Sequence, residues 1–196
     1  MIRLDKPDDD IEVALGACIE SISSELDRKR YEAIFAAMIT HESDYSEKAE
    51  SASLYELRPI RDSVLDDQGE PPQPVIGEIT HQEMRYLYST YMVKRKPGRT
   101  VYNRIMANAN QKCPFCGGIG TPRNLDHFMP KASFPLFSVL PLNLIPSCRD
   151  CNMDGKGQGF AKSKNEQVIH PYLDSSCFFE DQWIDAVYEP GFPGEV

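Results

Sequence analysis

The chain has 196 residues, of which 41% are apolar, and carries 21 Lys/Arg against 30 Asp/Glu for a formal net charge of −9. That length suits one large domain or two small ones, and the apolar content excludes wholesale disorder. No apolar run reaches the ~20 residues a membrane span needs, and residues 1–10 contain no apolar signal-peptide core, so a soluble, cytoplasmic protein without membrane association is expected. The charge is unevenly spread. Residues 1–93 hold 9 Lys/Arg against 20 Asp/Glu, residues 94–166 hold 12 against 4, and residues 167–196 hold none against 6. A basic island in an acidic chain attracts polyanions locally, whatever the overall sign.

In chain order, Ile11, Leu15, Cys18, Ile19 and Ile22 recur at helical spacing and predict one amphipathic helix over residues 10–28. Tyr31, Ile34, Phe35, Met38 and Ile39 repeat the pattern to about residue 41, and a weaker helical stretch covers 45–55. Residues 66–74, rich in Asp, Gly and Pro, form the best internal linker. Thr80 and Glu83 make a capping box for a helix over 81–94. The run from Lys94 through Pro97 and Gly98 to Arg99 is expected to break that helix, with another following to about residue 110. Residues 117–126 read as a short hairpin. Residues 138–146, with Pro141 and Pro146, read as extended or looping, and a short helix should start near Cys148. Beyond residue 166 come His170 and a last stretch, 178–187, around Trp183.

Cys113/Cys116 and Cys148/Cys151 each have the spacing of a chelating turn. Without a secretion signal, such pairs point to metal rather than disulfides, and four thiolates suit a structural Zn²⁺. Cys18 and Cys177 are isolated, and both are expected to be core residues. His41, His81 and His170 are expected to be structural or on the surface, His170 being the one placed to line a cleft.

Between the cysteine pairs lie Asp126 and His127, then Asn143; Asn152 follows the last cysteine. Imidazole titrates near neutral pH, so His127 is the candidate general base. Asp126 and Asn152 offer hard oxygen ligands that suit Mg²⁺ or Mn²⁺. On a strand Asp126 and His127 would face opposite sides, which suggests a metal on one side and a water on the other. Lys156, Arg149, Lys131 and Arg123 are candidate phosphate contacts.

Residues 125–131, Asn143-Leu144, the run from Cys148 to Asn152, and Gly155-Lys156-Gly157 together resemble the HNH endonucleases, in the variety stapled by two Cys-x-x-Cys pairs. The close resemblance covers about 45 residues, with looser likeness to standalone bacterial HNH proteins on either side. The last position of the motif is commonly His; here it is Asn152, as in the HNH domain of RNA-guided CRISPR nucleases, and the change bears on metal preference. The resemblance implies an α+β, mostly helical fold in which an acidic helical region (1–95) precedes a zinc-stapled ββα-metal core (96–165), with a C-terminal extension (166–196) packed on that core. It implies metal-dependent hydrolysis of DNA leaving 5′-phosphate and 3′-hydroxyl ends, and gives Asn143 the role of fixing the loop that holds His127. It also raises two alternatives: a non-catalytic zinc-stabilised nucleic-acid-binding module, or a subunit active only with a protein partner docked on the acidic helices, such as an ATPase in an antiphage defence complex.

Overall fold

Serines at positions 21, 23 and 24 divide the first apolar stretch in two. The structure, a computed structural model, describes residues 1–62, 72–157, 159–182, 185 and 187, with Asp154 and Lys156 described by backbone alone. Helix α1 (Ile11–Glu20) is capped by Asp10, whose carboxylate accepts from the Val13 N–H at 2.9 Å. Helix α2 (Glu25–Glu32) starts afresh at Ser24, whose hydroxyl accepts from the Asp27 N–H at 3.2 Å. The single helix expected over 10–28 is thus two, because serine hydroxyls compete for backbone groups and favour caps over helix interiors. Helix α3 (Phe35–Glu50) in turn joins the second expected helix to most of the weaker one.

Strands β1 (Pro74–Ile76) and β2 (Ile79–Thr80) form a small antiparallel ribbon. Pro74 therefore belongs to a strand, while residues 66–71 of the expected linker lie outside the described residues. The Thr80–Glu83 capping box is present and opens α4 (His81–Tyr86), which continues as a wider, π-type turn over Leu87–Met92. Arg30 of α2 grips the same glutamate with both terminal nitrogens, at 2.8 and 3.1 Å, joining the two helices.

Helix α5 (Lys96–Ala107) begins earlier than its apolar pattern suggests. Pro97 falls in the first turn, where a missing N–H costs nothing, so the basic run starts this helix as well as ending the previous one. Gly98 explains the sharp corner. A Cβ there would lie 2.3 Å from the Tyr91 carbonyl oxygen and 2.7 Å from the Met92 Cα, so the two backbones touch.

The hairpin expected at 117–126 does not form. Strand β3 (Asn124–His127) pairs antiparallel with β4 (Leu144–Ser147), Asp126 opposite Ile145 and His127 opposite Leu144. A π-type turn over Asp150–Lys156 follows β4, and α6 (Cys177–Glu180) comes last. Trp183 and residues 188–196 lie outside the described residues.

The result is a mixed α+β fold dominated by helix, with an N-terminal helical region. One apolar cluster runs through it, from Ile11, Leu15 and Met38 through Met84, Val101 and Ile105 to Leu125, Leu144 and Tyr172. Cys18 is in this cluster, and burial pushes its thiol up to about 12. Cys177 is not; contrary to expectation it is exposed at the start of α6, its thiol donating to the Ser175 hydroxyl at 3.2 Å. Among the described residues no helix is long and apolar enough to cross a membrane.

The two helical glycines should respond oppositely to alanine. At Gly16 the nearest atom to an added Cβ is Phe35 Cζ at 3.9 Å, an ordinary contact, so Gly16→Ala should stabilise by about 0.5–1 kcal/mol through helix propensity. Gly98→Ala should cost about 2–3 kcal/mol or more, because backbone must move to admit it. Urea denaturation of both variants checks the pair.

Candidate functional site

The four motif cysteines converge. Their sulfurs all lie within 4.8 Å of one another, which is the arrangement a tetrahedral zinc site needs, so these residues could hold that ion. The first pair is shaped by a tight turn in which Cys113 N–H donates to Gly120 O and Gly118 N–H to Cys113 O, both at 2.9 Å. Gly120 N–H donates to Cys116 Sγ at 3.2 Å, and a Cβ on Gly120 would come within 2.7 Å of Cys148 Sγ. Only a glycine lets the two cysteine turns approach this closely. Burial acts to raise the Cys113 thiol, but the N–H groups of Cys148, Cys116 and Phe115 outweigh it and bring the group down to about 7. Cys151 moves the other way, raised by burial and by the neighbouring sulfurs. Four sulfurs at this spacing cannot all ionise without a cation among them.

Cys148 directly follows β4, so the cysteine cluster anchors one end of the β3–β4 ribbon. Two strands of four residues have outer edges that something must satisfy. On the β3 edge, Tyr88 donates its hydroxyl to Leu125 O at 3.1 Å, and Leu125 N–H donates to the Tyr102 hydroxyl at 3.2 Å. On the β4 edge, Tyr172 donates to Leu144 O at 2.9 Å. The outward-facing amide of Leu125 also explains Pro146. The two residues are opposite each other at a position where neither needs a ladder hydrogen bond, so the missing proline N–H is harmless.

A cleft of about 330 Å³ runs along the β3 edge, lined by every residue of that strand together with Tyr88, Tyr102, Lys131 and Asn152. Asp126 and His127, neighbours on the strand, both line this cleft. Both are largely buried, at 6% and 5% exposure. His127 Nε2 lies 2.9 Å from the Ser138 carbonyl oxygen. A carbonyl can only accept, so Nε2 carries a proton. Tyr88 packs edge-on to the His127 ring, with centroids 4.3 Å apart.

Asn143 sits behind the cleft, fully buried. Its Oδ1 accepts from Met129 N–H at 2.7 Å and from the Tyr45 hydroxyl at 3.0 Å; its Nδ2 donates to Met129 O and Phe137 O, each at 3.0 Å. The side chain thus ties both backbone groups of Met129 to the turn at Phe137, closing the loop that follows His127. Tyr45 has donated its proton to Asn143, so the ring of His170 must donate Nε2–H to the tyrosine oxygen at 3.2 Å. His170 Nδ1 is then free to accept from Tyr172 N–H at 3.3 Å. Burial pushes the His170 imidazole down to about 3, in keeping with this neutral form.

Asp126, His127, Asn152 and Lys131 share the cleft, and Asn143 supports it from behind. Arg123 and Arg149 are exposed outside its lining, and the Lys156 side chain lies outside the described residues. His170 is a buried structural histidine lining a separate, larger apolar cavity of about 430 Å³. His81 is also structural, with Nε2 3.0 Å from Ala132 O, and His41 is half-buried. Tyr45, Tyr88, Tyr102 and Tyr172 were not legible as site residues from apolar periodicity. The available signal was chemical: a phenol on a buried face needs a hydrogen-bond partner.

A short antiparallel ribbon, a helical turn after it and four converging cysteines define a four-cysteine α+β module built into a larger helical chain. Two curated proteins are similar to this chain. Protein ea31 of Escherichia phage lambda is 48% identical over 128 residues, covering 65% of this chain and 43% of that protein. Septu protein PtuB of Bacillus thuringiensis is 31% identical over 108 residues, covering 53% of this chain and 40% of that protein. The alignments thus span less than half the length of either relative. No family model and no solved structure matches the chain.

The depressed His170 group links stability to pH. An unfolded histidine takes up a proton near pH 6.5, whereas the folded one resists until about 3. Between those values the unfolded state binds more protons, so stability present above pH 6.5 is lost as the pH falls. Denaturant unfolding of His170→Gln should show a shallower loss between pH 6.5 and 4 than the parent chain. Equal slopes would mean that another group governs the acid limb.

Proposed function

We propose that the protein is a metal-dependent HNH-type endonuclease that hydrolyses phosphodiester bonds of DNA. The observation that carries this reading is the shared cleft along β3, where Asp126, His127 and Asn152 meet. The cysteine cluster and the similarity to Septu protein PtuB support the coarser statement of a nuclease-like role.

In this reading His127 is the general base. Its Nε2 lies on Ser138 O, and Nδ1 is the nitrogen we assign to take the proton from the attacking water. Tyr88, packed against that ring, limits its rotation. Asp126 and Asn152 would hold one Mg²⁺ or Mn²⁺, hard oxygen donors being suited to those ions, and Lys131 would contact phosphate. An ion held there would supply charge stabilisation to the phosphodiester reaction. Asn143 positions His127 by closing the loop from 128 to 138 and does not touch substrate. Cys113, Cys116, Cys148 and Cys151 hold a structural zinc with no open position for chemistry. Arg123, Arg149 and Lys156 extend the nucleic-acid surface outside the cleft. The acidic helices α1–α3 are available to a protein partner, including one that would restrain or activate the site in antiphage defence.

Plasmid nicking with Mg²⁺ or Mn²⁺ tests the catalytic assignment. His127→Ala should lower the rate by about 10²–10⁴-fold when assayed well below its unfolding midpoint, the buried truncation itself costing about 2–4 kcal/mol of stability. Survival of metal-dependent nicking in that variant would sink the role given to His127. Elemental analysis should find one zinc per chain, and stripping it with a strong chelator should lower the thermal midpoint by about 10 °C or more, since binding there is coupled to folding.

A further inference from the structure

The arginines fixed by side-chain contacts in this fold are treated differently. Arg30 is neutralised by Glu83, and Arg104 of α5 is held by both oxygens of Asp9 at 2.7 Å. Arg99, one turn earlier on α5, has no carboxylate partner among the described residues, yet it is held in place. Its guanidinium carbon lies 4.2 Å from the centre of the Tyr102 ring. Nε donates to Asn103 Oδ1 at 3.0 Å and Nη1 to Val93 O at 3.3 Å. Nη2 has no partner among the described residues. Arg99 is an exposed residue, and Tyr102 and Val93, which hold its guanidinium, both line the cleft.

The position along β3 follows from the backbone bonds. Tyr102 binds the N–H of Leu125, toward Asn124, and Tyr88 binds its carbonyl, toward Asp126 and His127. Lys131 lies over the Tyr88 ring at 5.2 Å, at the His127 end. Arg99 therefore stands on the Tyr102 side of Leu125, with Lys131 on the Tyr88 side. A planar fork held by stacking and two hydrogen bonds loses little entropy on binding and presents free donors with the geometry of phosphate oxygens.

We propose that Arg99 is a phosphate-binding residue that grips the backbone phosphate next to the one being cut, so that the site takes internal bonds of a polynucleotide in preference to an isolated phosphodiester. This rests on the nuclease reading for the position of the cut, but the binding itself can be measured separately.

The test uses the full chain. In a His127→Ala background, binding of a short DNA duplex is followed by fluorescence anisotropy across a salt series. Arg99→Gln should weaken binding several-fold and reduce the slope of log affinity against log salt by about one. Lys29→Gln, which removes the same charge from α2 where Lys29 pairs with Glu25, is the control and should leave the slope unchanged. In the otherwise native chain, Arg99→Gln should slow plasmid cleavage but leave hydrolysis of bis(4-nitrophenyl) phosphate, a diester with no neighbouring phosphate, at the parental rate. The proposal is overturned if Arg99→Gln binds DNA as the Lys29→Gln control does. It is equally overturned if both substrates slow together, which would place Arg99 at the reacting phosphate or in the fold. If the native chain cleaves neither substrate, the nuclease reading fails, and the salt series still decides whether Arg99 binds phosphate.

Discussion

A two-stranded ribbon four residues long cannot stand alone in water, and this fold depends on how that problem is met. The outward backbone groups of β3 and β4 are satisfied by phenol hydroxyls instead of by further strands. A third strand would have covered the β3 edge entirely. Two tyrosines satisfy Leu125 while leaving room beside them, and that room is the cleft. The same interaction that makes the ribbon viable therefore also keeps its edge open to a ligand.

The tyrosines come from distant parts of the chain. Tyr45 is on α3, Tyr88 on the turn after α4, Tyr102 on α5, and Tyr172 near the C-terminal end of the described fold. The helical front half is thus more than an acidic layer beside the motif. Through Tyr45 and Tyr88 it contributes hydrogen bonds to Asn143 and Leu125, on either side of His127 in the fold. Burial pushes both phenols well above their usual range, so at physiological pH they remain protonated donors.

Much of the site is legible in the sequence because its chemistry is local. The cysteine pairs are spaced by their own turns, and Asp126, His127 and Asn152 lie within a few residues of those turns or of β3 and β4. What the sequence does not show is the pairing of β3 with β4. Residues 117–126 contain two turn-forming glycines at positive φ, Gly117 and Gly118, which look like a hairpin tip. Those glycines instead shape the cysteine turn, and the strand's partner lies some twenty residues further on, across prolines that usually argue against a strand. Pro146 is tolerated only because its opposite residue turns its amide toward Tyr102, a tertiary fact with no local signature. The split of the first helix at Ser24 and the early start of α5 at Pro97 are failures of a different kind. There the apolar period is correct, and capping chemistry moves the boundaries.

Charge placement completes the logic. Acidic residues dominate the flanks, yet Arg99 rests on a tyrosine ring and has no carboxylate partner among the described residues, and Lys131 lies over a second tyrosine ring. Ring faces hold a cation without neutralising it, whereas an aspartate beside Arg99 would fix the side chain and cancel its charge. Arg104, one turn along α5, shows the alternative in the same helix, with Asp9 from the acidic N-terminal segment occupying its whole fork. The tyrosines thus serve the ribbon with their hydroxyls and the cleft with their faces. Replacing either by phenylalanine would keep the cation's platform but strip a backbone group of Leu125 of its partner, the N–H for Tyr102 and the carbonyl for Tyr88, so the structural and electrostatic roles are separable in principle although one side chain carries both.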